Sequence, residues 1–196
     1  MQPLGDSRAT VTEVRFHGRG GMGAVVASQL LAQAAFLEGR WAQSFPFFGV
    51  ERRGAPVAAF ARIASAPLEV RTNVYEPDIV VVLDPSLLKG VGYLAGMKDR
   101  GIVVANTAGA TPAWGGPVFT VDATAIALEE GLGSRSVPIV NTAMVGALAG
   151  ATNLVRLESV LAAIEALVPQ KRDGNRRAAE RAFHAIGKAV AAEVTA

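Results

Sequence analysis

Cysteine is absent from the 196-residue chain. The chain therefore forms no disulfide, holds no cysteine-ligated iron–sulfur cluster and has no thiol nucleophile, a composition that suits a reducing compartment. Histidine is nearly as scarce. His17 and His184 are the only two, so neither a histidine-rich metal site nor a paired-histidine motif can be assembled. Charged residues make up only 18%, with 19 Lys and Arg against 17 Asp and Glu, so the basic isoelectric point reflects near-balance and points away from a nucleic-acid binder. The densest basic cluster, Lys171, Arg172, Arg176, Arg177 and Arg181, begins in a loop and lines a helix, as a solvated face does. A membrane span is not expected either: the long uncharged stretch from Val137 to Val155 is broken by Pro, Asn, Thr and Gly and reads as buried packing. Residues 1–9 lack the basic start and apolar core of a signal peptide. They read as a frayed terminus ahead of one domain over residues 10–196, and the expected location is cytoplasmic.

What is abundant is small and apolar. Hydrophobic residues reach 51% with a mean hydropathy of +0.31, high for a lone soluble domain, and a surface that expects a partner gives the same bias. The length suits one α/β domain.

Glycine is concentrated where it matters. The stretch His17-Gly18-Arg19-Gly20-Gly21-Met22-Gly23 follows the alternating run Val11 to Phe16 and precedes an uninterrupted helical pattern. Strand, glycine turn and helix aim free N–H groups and the positive end of a helix dipole at one point, which suits an anion. Gly18, Gly20 and Gly23 fit G-x-G-x-x-G, in which the glycines serve the turn, the approach of a ligand and helix–sheet packing. A strand-to-helix turn needing only positive φ is the plainer alternative.

The rest of the chain alternates helical and extended patterns. A helix is expected from about Met22 to Glu38, ending at Gly39 and apolar on nearly all faces, so that something beyond the sheet must cover it. Ala42 to Phe48 and Val57 to Ile63 suit an antiparallel edge hairpin, with Pro56 where no ladder donor is needed. Ile79 to Leu83 is a β-branched run of the kind found in a buried parallel strand. Ser86 is expected to cap a helix to about Lys98. Further strands fall at Ile102 to Ala105 and Pro117 to Val121, and Asp122 caps a helix from Ala123 to Glu130. Asn141 and Thr142 are expected to cap a helix from Ala143 to Ala151, bare on one side at Gly146 and Gly150. Helices at Leu157 to Val168 and Asn175 to Val194 follow. The last carries Phe183, Ile186, Val190 and Val194 as an apolar stripe. The fold class is α/β: a single domain with a mostly parallel sheet, helices on both faces, a Rossmann-like beginning and an antiparallel edge hairpin.

No ordinary catalytic constellation is visible. His17 suits a backbone contact at the strand end as well as a general base. Asp84 stands at the end of a buried strand, where α/β sheets place functional carboxylates, and equally suits a turn before Pro85. Arg52 and Arg53 lie between Phe47-Phe48-Gly49 and Gly54-Ala55-Pro56. Their guanidinium forks suit phosphate or carboxylate, unless they are solvated surface charge.

Together HGRGGMGAVVASQLLAQAAF and FPFFGVERRGAPV resemble the gamma subunit, or gamma domain, of the 2-oxoacid:ferredoxin (acceptor) oxidoreductases, the pyruvate:ferredoxin oxidoreductase group. The resemblance continues through YEPDIVVVLDPSLL and VPIVNTAMVGALAG. One departure is Met22, where the family commonly has Gln. The resemblance implies an enzyme that decarboxylates a 2-oxoacid on thiamine diphosphate, passes electrons through iron–sulfur clusters to ferredoxin or NAD, and delivers the acyl group to coenzyme A. With no G-D-G followed by an Asn-rich segment and no cysteine, this chain leaves thiamine diphosphate, magnesium and the clusters to partners. Those are alpha and beta thiamine-binding subunits and a ferredoxin-like subunit in a hetero-oligomer, without nucleic acid or membrane.

The chain alone carries no catalytic residue or metal and is expected to be inactive. Its remaining jobs are shaping the active site and contacting coenzyme A, through Gly18, Arg19, Gly20, Gly21, Met22, Gly23, Arg52 and Arg53. Two other readings stay open. One is a free-standing NAD(P)-binding Rossmann oxidoreductase. Against it, the acidic residue expected about 20 residues past the glycines is replaced by Arg40, Trp41, Ala42 and Gln43, with Glu38 inside the helix. The other is a purely structural assembly module. The particular 2-oxoacid is not written in these motifs.

Overall fold

The computed structural model describes residues 10–47, 55–70, 72–90, 92–109 and 112–186. Six strands form one sheet in the order β2-β3-β1-β4-β5-β6. They are β1 (Val11–Arg19), β2 (Trp41–Pro46), β3 (Pro56–Ala64), β4 (Ile79–Val82), β5 (Ile102–Asn106) and β6 (Val118–Val121). From β1 to β6 the neighbours run parallel. The hairpin of β2 and β3 is antiparallel, as expected, and β3 is also antiparallel to β1. The α-helices are α1 (Ala24–Leu37), α2 (Ala123–Glu129), α3 (Asn141–Thr152), α4 (Leu157–Leu167) and α5 (Arg172–Ala185). The expected stripe residues Val190 and Val194, and the expected frayed terminus, lie outside the described residues.

Strand alternation separates two cores. Val14, Phe16, Ala61, Ile63, Val81 and Val104 face one way, into a core to which all five α-helices contribute. Val80, Val82, Val103, Ala105 and Val118 face the other, under Tyr93, Leu87, Leu88 and Leu94. Helical cover is thus present on both faces, but unequally. The second face carries two short 3-10 helices, Pro85–Lys89 and Gly92–Leu94, where one α-helix beginning at Ser86 was expected. Asp84 is the cap there, accepting the Ser86 N–H at 2.8 Å. Gly90 and Gly92 interrupt the α pattern, because each glycine weakens a helix by about 1 kcal/mol.

Helix α1 is covered from within the domain. Its Ala27, Leu30, Leu31 and Ala34 are fully buried between β2 and β3 on one side and α3 and α4 on the other. Burial of each leucine there contributes about 1.5–3 kcal/mol. Gly39, with φ 77, ends the helix as the composition predicts.

Asn141 and Thr142 are not caps. Both are buried inside the first turn of α3, where the Thr142 hydroxyl donates to Asn175 Oδ1 at 3.0 Å. Asn141 Oδ1 still accepts the Thr142 N–H at 2.8 Å, whereas the Thr142 side chain has exchanged a local role for a tertiary partner. The bare side of α3 meets α5: a Cβ on Gly146 would stand 2.1 Å from the Ala179 carbonyl oxygen, and one on Gly150 2.7 Å from that of Phe183.

Strand β2 forms one edge of the sheet. Phe47 N–H donates to the Ala58 carbonyl, so by alternation Ala42 and Ser44 turn their backbone groups outward, and Pro46 has no N–H to offer. Such an edge is a poor template for another strand.

Gly146→Ala should lower the melting temperature, since overpacking costs about 1–3 kcal/mol and each kcal/mol moves the midpoint by roughly 2–4 °C in a chain of this size. Gly109→Ala, where a Cβ meets nothing within 4 Å, is the matched control. Equal melting of the two variants would show that α3 and α5 do not depend on this contact.

Candidate functional site

The chain leaves β1 through α1 toward the β2 edge and leaves β4 in the opposite direction, toward β5. The crevice at the carboxyl ends of β1 and β4 is therefore the topological switch point, where open α/β sheets bind ligands. The glycine loop lies there.

Its backbone is held by internal bonds. The Gly20 N–H donates to the Ala55 carbonyl at 3.1 Å, and the Met22 N–H donates to that of Arg19 at 3.1 Å. Gly21 and Gly23 have φ of 100 and 87, which other residues rarely adopt. Gly18 fits closely into the sheet, a Cβ there standing 3.4 Å from the Ala24 Cβ and 3.5 Å from the Leu83 Cβ. At Gly23 the close neighbour is on α3: a Cβ would be 2.6 Å from Asn141 Nδ2. The glycine next to the strand end is thus Gly18, while Gly23 brings α1 against α3.

Across the crevice the turn after β4 supplies an ion pair. Arg19 Nε lies 2.7 Å from Asp84 Oδ2 and also approaches Ser86 Oγ at 3.1 Å. Asp84 therefore takes the turn role that was expected as one alternative, capping the segment after β4, and its second carboxylate oxygen pairs with Arg19. Below it the fully buried Asn106 donates to the Leu83 carbonyl at 2.7 Å and to Thr124 Oγ1 at 2.9 Å. That bond ties the start of α2 to the end of β4.

A third wall comes from far along the chain. Residues 133–139 form a small turn, with Ser134 and Val137 exchanging backbone hydrogen bonds at 3.0 and 3.1 Å and Gly133 bridging Pro138. Val137 Cγ1 stands 3.4 Å from where a Gly21 Cβ would be. Glycine loop, β4 turn and this wall enclose a crevice of about 700 Å³, within the roughly 300–1,000 Å³ of ligand sites. Arg19, Gly20, Gly21 and Met22 of the expected site residues line it, joined by Thr124, Ser136, Val137 and Pro138. Those four were not among the sequence candidates. For Val137 and Pro138 the one signal was the quoted stretch VPIVNTAMVGALAG, which begins at Val137; Thr124 and Ser136 lie outside every quoted motif.

Arg52 and Arg53 lie outside the described residues. The ends of their segment do not: Pro56 pairs with Arg19 and Ala55 accepts from Gly20, so the two sequence motifs meet in space. His17 is on the same strand. Its Nε2 is buried without a hydrogen-bond partner. Burial, reinforced by the Arg15 charge, pushes its pKa down to about 4, so the imidazole is neutral at neutral pH. Glu38 is committed elsewhere, accepting the Arg156 N–H at 2.7 Å and pairing with Arg40 at 2.9 Å. In the basic cluster of α5, Arg177 and Arg181 pair with Glu130 at 2.7 and 2.9 Å, as a solvated face would. Among the described residues no group of three or more His, Cys, Asp or Glu could hold a metal ion. No helix there is long and apolar enough to cross a membrane.

The model of the family described as pyruvate ferredoxin/flavodoxin oxidoreductase matches residues 13–185. The chain belongs to this family, as a gamma subunit. The common gamma subunit of the pyruvate/ketoisovalerate oxidoreductases of Thermococcus kodakarensis is 54% identical over 180 residues, covering 88% of this chain and 95% of that one. Pyruvate synthase subunit PorC of Methanothermobacter marburgensis is 52% identical over 172 residues, covering 87% and 95%. The crystal structure of the pyruvate oxidoreductase subunit PORC from Thermotoga maritima superposes with a TM-score of 0.76 at 39% identity, covering 89% of this chain and 96% of that one. The resemblance read from the two motifs and the single-domain α/β expectation both agree with these relatives of the gamma subunit.

Gly23→Ala should destabilise by at least about 1–2 kcal/mol, the cost of a left-handed backbone, plus the clash with Asn141. Adding Asn141→Ala should recover the part of the clash due to the amide, its Cβ remaining at 3.0 Å, and leave the backbone cost. Additive losses in denaturant titrations of the two single variants and the double variant would contradict the contact.

For His17 the folded pKa lies below the unfolded value. The unfolded chain therefore binds the proton first, and stability present above pH 6.5 is lost as pH falls through 4. That loss amounts to up to about 3 kcal/mol. His17→Leu should flatten this part of the pH–stability curve, and an unchanged slope would show that His17 is protonated without cost in the fold.

Proposed function

We propose that this gamma subunit serves a thiamine-dependent, multi-subunit 2-oxoacid oxidoreductase, shaping the assembly around the active site and supplying contacts for coenzyme A, and that it is inactive by itself. The observation that carries the proposal is the crevice at the β1/β4 switch point, walled by the glycine loop. Enzymes of this kind produce an acyl-coenzyme A, so a ligand crevice in a chain without catalytic groups suits that acceptor.

The residue inventory supports the division of labour. The chain has no cysteine for iron–sulfur clusters and, among the described residues, no cluster of metal-ligating side chains. Thiamine diphosphate, which supplies the electron sink for decarboxylation, belongs with magnesium on alpha and beta subunits, and the clusters belong on a ferredoxin-like subunit. A free-standing NAD enzyme is disfavoured by two observations. Strand β3 separates β1 from β2, which removes the adjacent strand end on which a dinucleotide's ribose is held, and Glu38 is already paired.

Arg52 and Arg53 are assigned to anionic groups of the acceptor. In the assembled enzyme Arg52→Ala or Arg53→Ala should raise the KM for coenzyme A and leave that for the 2-oxoacid nearly unchanged. Loss of a charge-assisted hydrogen bond of about 1.5–3 kcal/mol corresponds to roughly ten- to 150-fold in affinity. Unaltered kinetics in both variants would make the arginines surface charge, and failure of the subunits to associate would make them interface residues.

A further inference from the structure

The glycine loop was expected to cradle phosphate, but among the described residues the crevice it helps to form has the wrong electrostatics for one. Two of its amides, those of Gly20 and Met22, are spent on the carbonyls of Ala55 and Arg19. The first-turn residues of α1, whose N–H groups carry the positive end of the dipole, are not among the crevice walls. The cation at the mouth, Arg19, is neutralised at 2.7 Å by Asp84. A pyrophosphate entering there would meet that carboxylate, at a cost in like-charge repulsion and desolvation.

The remaining surface is of another kind. Met22, Pro85, Val137 and Pro138 make an apolar wall, with Thr124 and Ser136 beside them in the lining; Thr124 Oγ1 accepts from Asn106 and keeps its own proton to donate, and Ser136 Oγ shares a bond with Ser134 Oγ. Val137 is 45% exposed, although a branched apolar side chain gains by being covered. Apolar wall plus two neutral hydrogen-bonding groups is complementary to a chain of amides and methyl groups.

We infer that this crevice takes the neutral pantetheine arm of the acyl acceptor, leaving its phosphates outside. The inference rests on the coenzyme A reading above and adds which part of the molecule this chain holds. Met22 becomes a specificity residue: a thioether can lie along a methyl-bearing arm, whereas a glutamine would present an amide to it.

The test is amide hydrogen exchange on the assembled enzyme with three probes. Saturating pantetheine and saturating coenzyme A should slow exchange in residues 20–22 and 136–139 to the same extent. Adenosine 3′,5′-bisphosphate, which carries phosphates without the arm, should leave them unchanged. Val137→Asn, at a half-exposed position that tolerates a polar side chain, should raise the dissociation constants of pantetheine and coenzyme A by the same factor of about ten. Protection by the bisphosphate but not by pantetheine would overturn the inference and leave the coenzyme A reading standing. No protection of this crevice by any of the three would remove both. A Val137→Asn complex that binds pantetheine as the parent does would also overturn the inference.

Discussion

The arrangement depends on the ladder between β1 and β3. Their antiparallel pairing runs from Val11 with Ala64 to Arg19 with Pro56, along the whole of the first strand. Because β3 occupies that side of β1, the strand that follows α1 is displaced to the sheet edge, and the parallel neighbour of β1 is β4 instead. The same ladder brings Ala55 to Gly20 and so places the second sequence motif beside the first. The opening of the chain is Rossmann-like in its strand, glycine loop and helix. Its glycine loop survives, but the neighbouring strand end that would complete a dinucleotide site has moved away.

Polar groups fasten both the switch point and the face of the sheet that carries the 3-10 segments. Asn106 uses its side-chain amide to hold Leu83 and Thr124 together. Arg15, buried in the opposite face of β1, donates to the carbonyls of Tyr93 and Ala95 at 3.0 and 2.6 Å and pins the 3-10 segment across the sheet. Arg62, also buried, pairs with Glu13 at 2.8 Å and lies 5.1 Å from the centre of the Phe45 ring. Breaking such a buried pair is costly because it strands a charge in low dielectric. The face of the sheet with little helical cover is therefore closed by hydrogen-bonded straps. Small residues close the other face, where glycines let α3 and α5 come together backbone to backbone.

Chemically, the crevice is quiet. A carboxylate tied to an arginine and a wall of Met, Val and Pro can position a ligand, and His17, on β1 and outside the crevice lining, is kept neutral by burial. The chain itself belongs with the gamma subunits of the pyruvate ferredoxin/flavodoxin oxidoreductase family.

Read alone, the sequence determined what depends on near neighbours. Alternation placed β1, the β-branched run placed β4, Gly39 ended α1, and Asp122 capped α2 through Ala125 N–H; each is a property of a few adjacent residues. The absence of cysteine settled what the chain cannot ligate, and the paired motifs named the family. Tertiary structure alone decided the rest. The insertion of β3 between β1 and β2 is a choice between possible ladders, which strand propensity does not distinguish. Asn141 and Thr142 had the composition of caps and became buried helix residues, because Gly23 and Asn175 wait for them across the domain. Val137 and Pro138 carry no chemical signature of a site. They line the crevice only because the folded chain brings residues more than a hundred positions apart, Gly21 and Val137, into contact, and an apolar wall is recognised by what it faces.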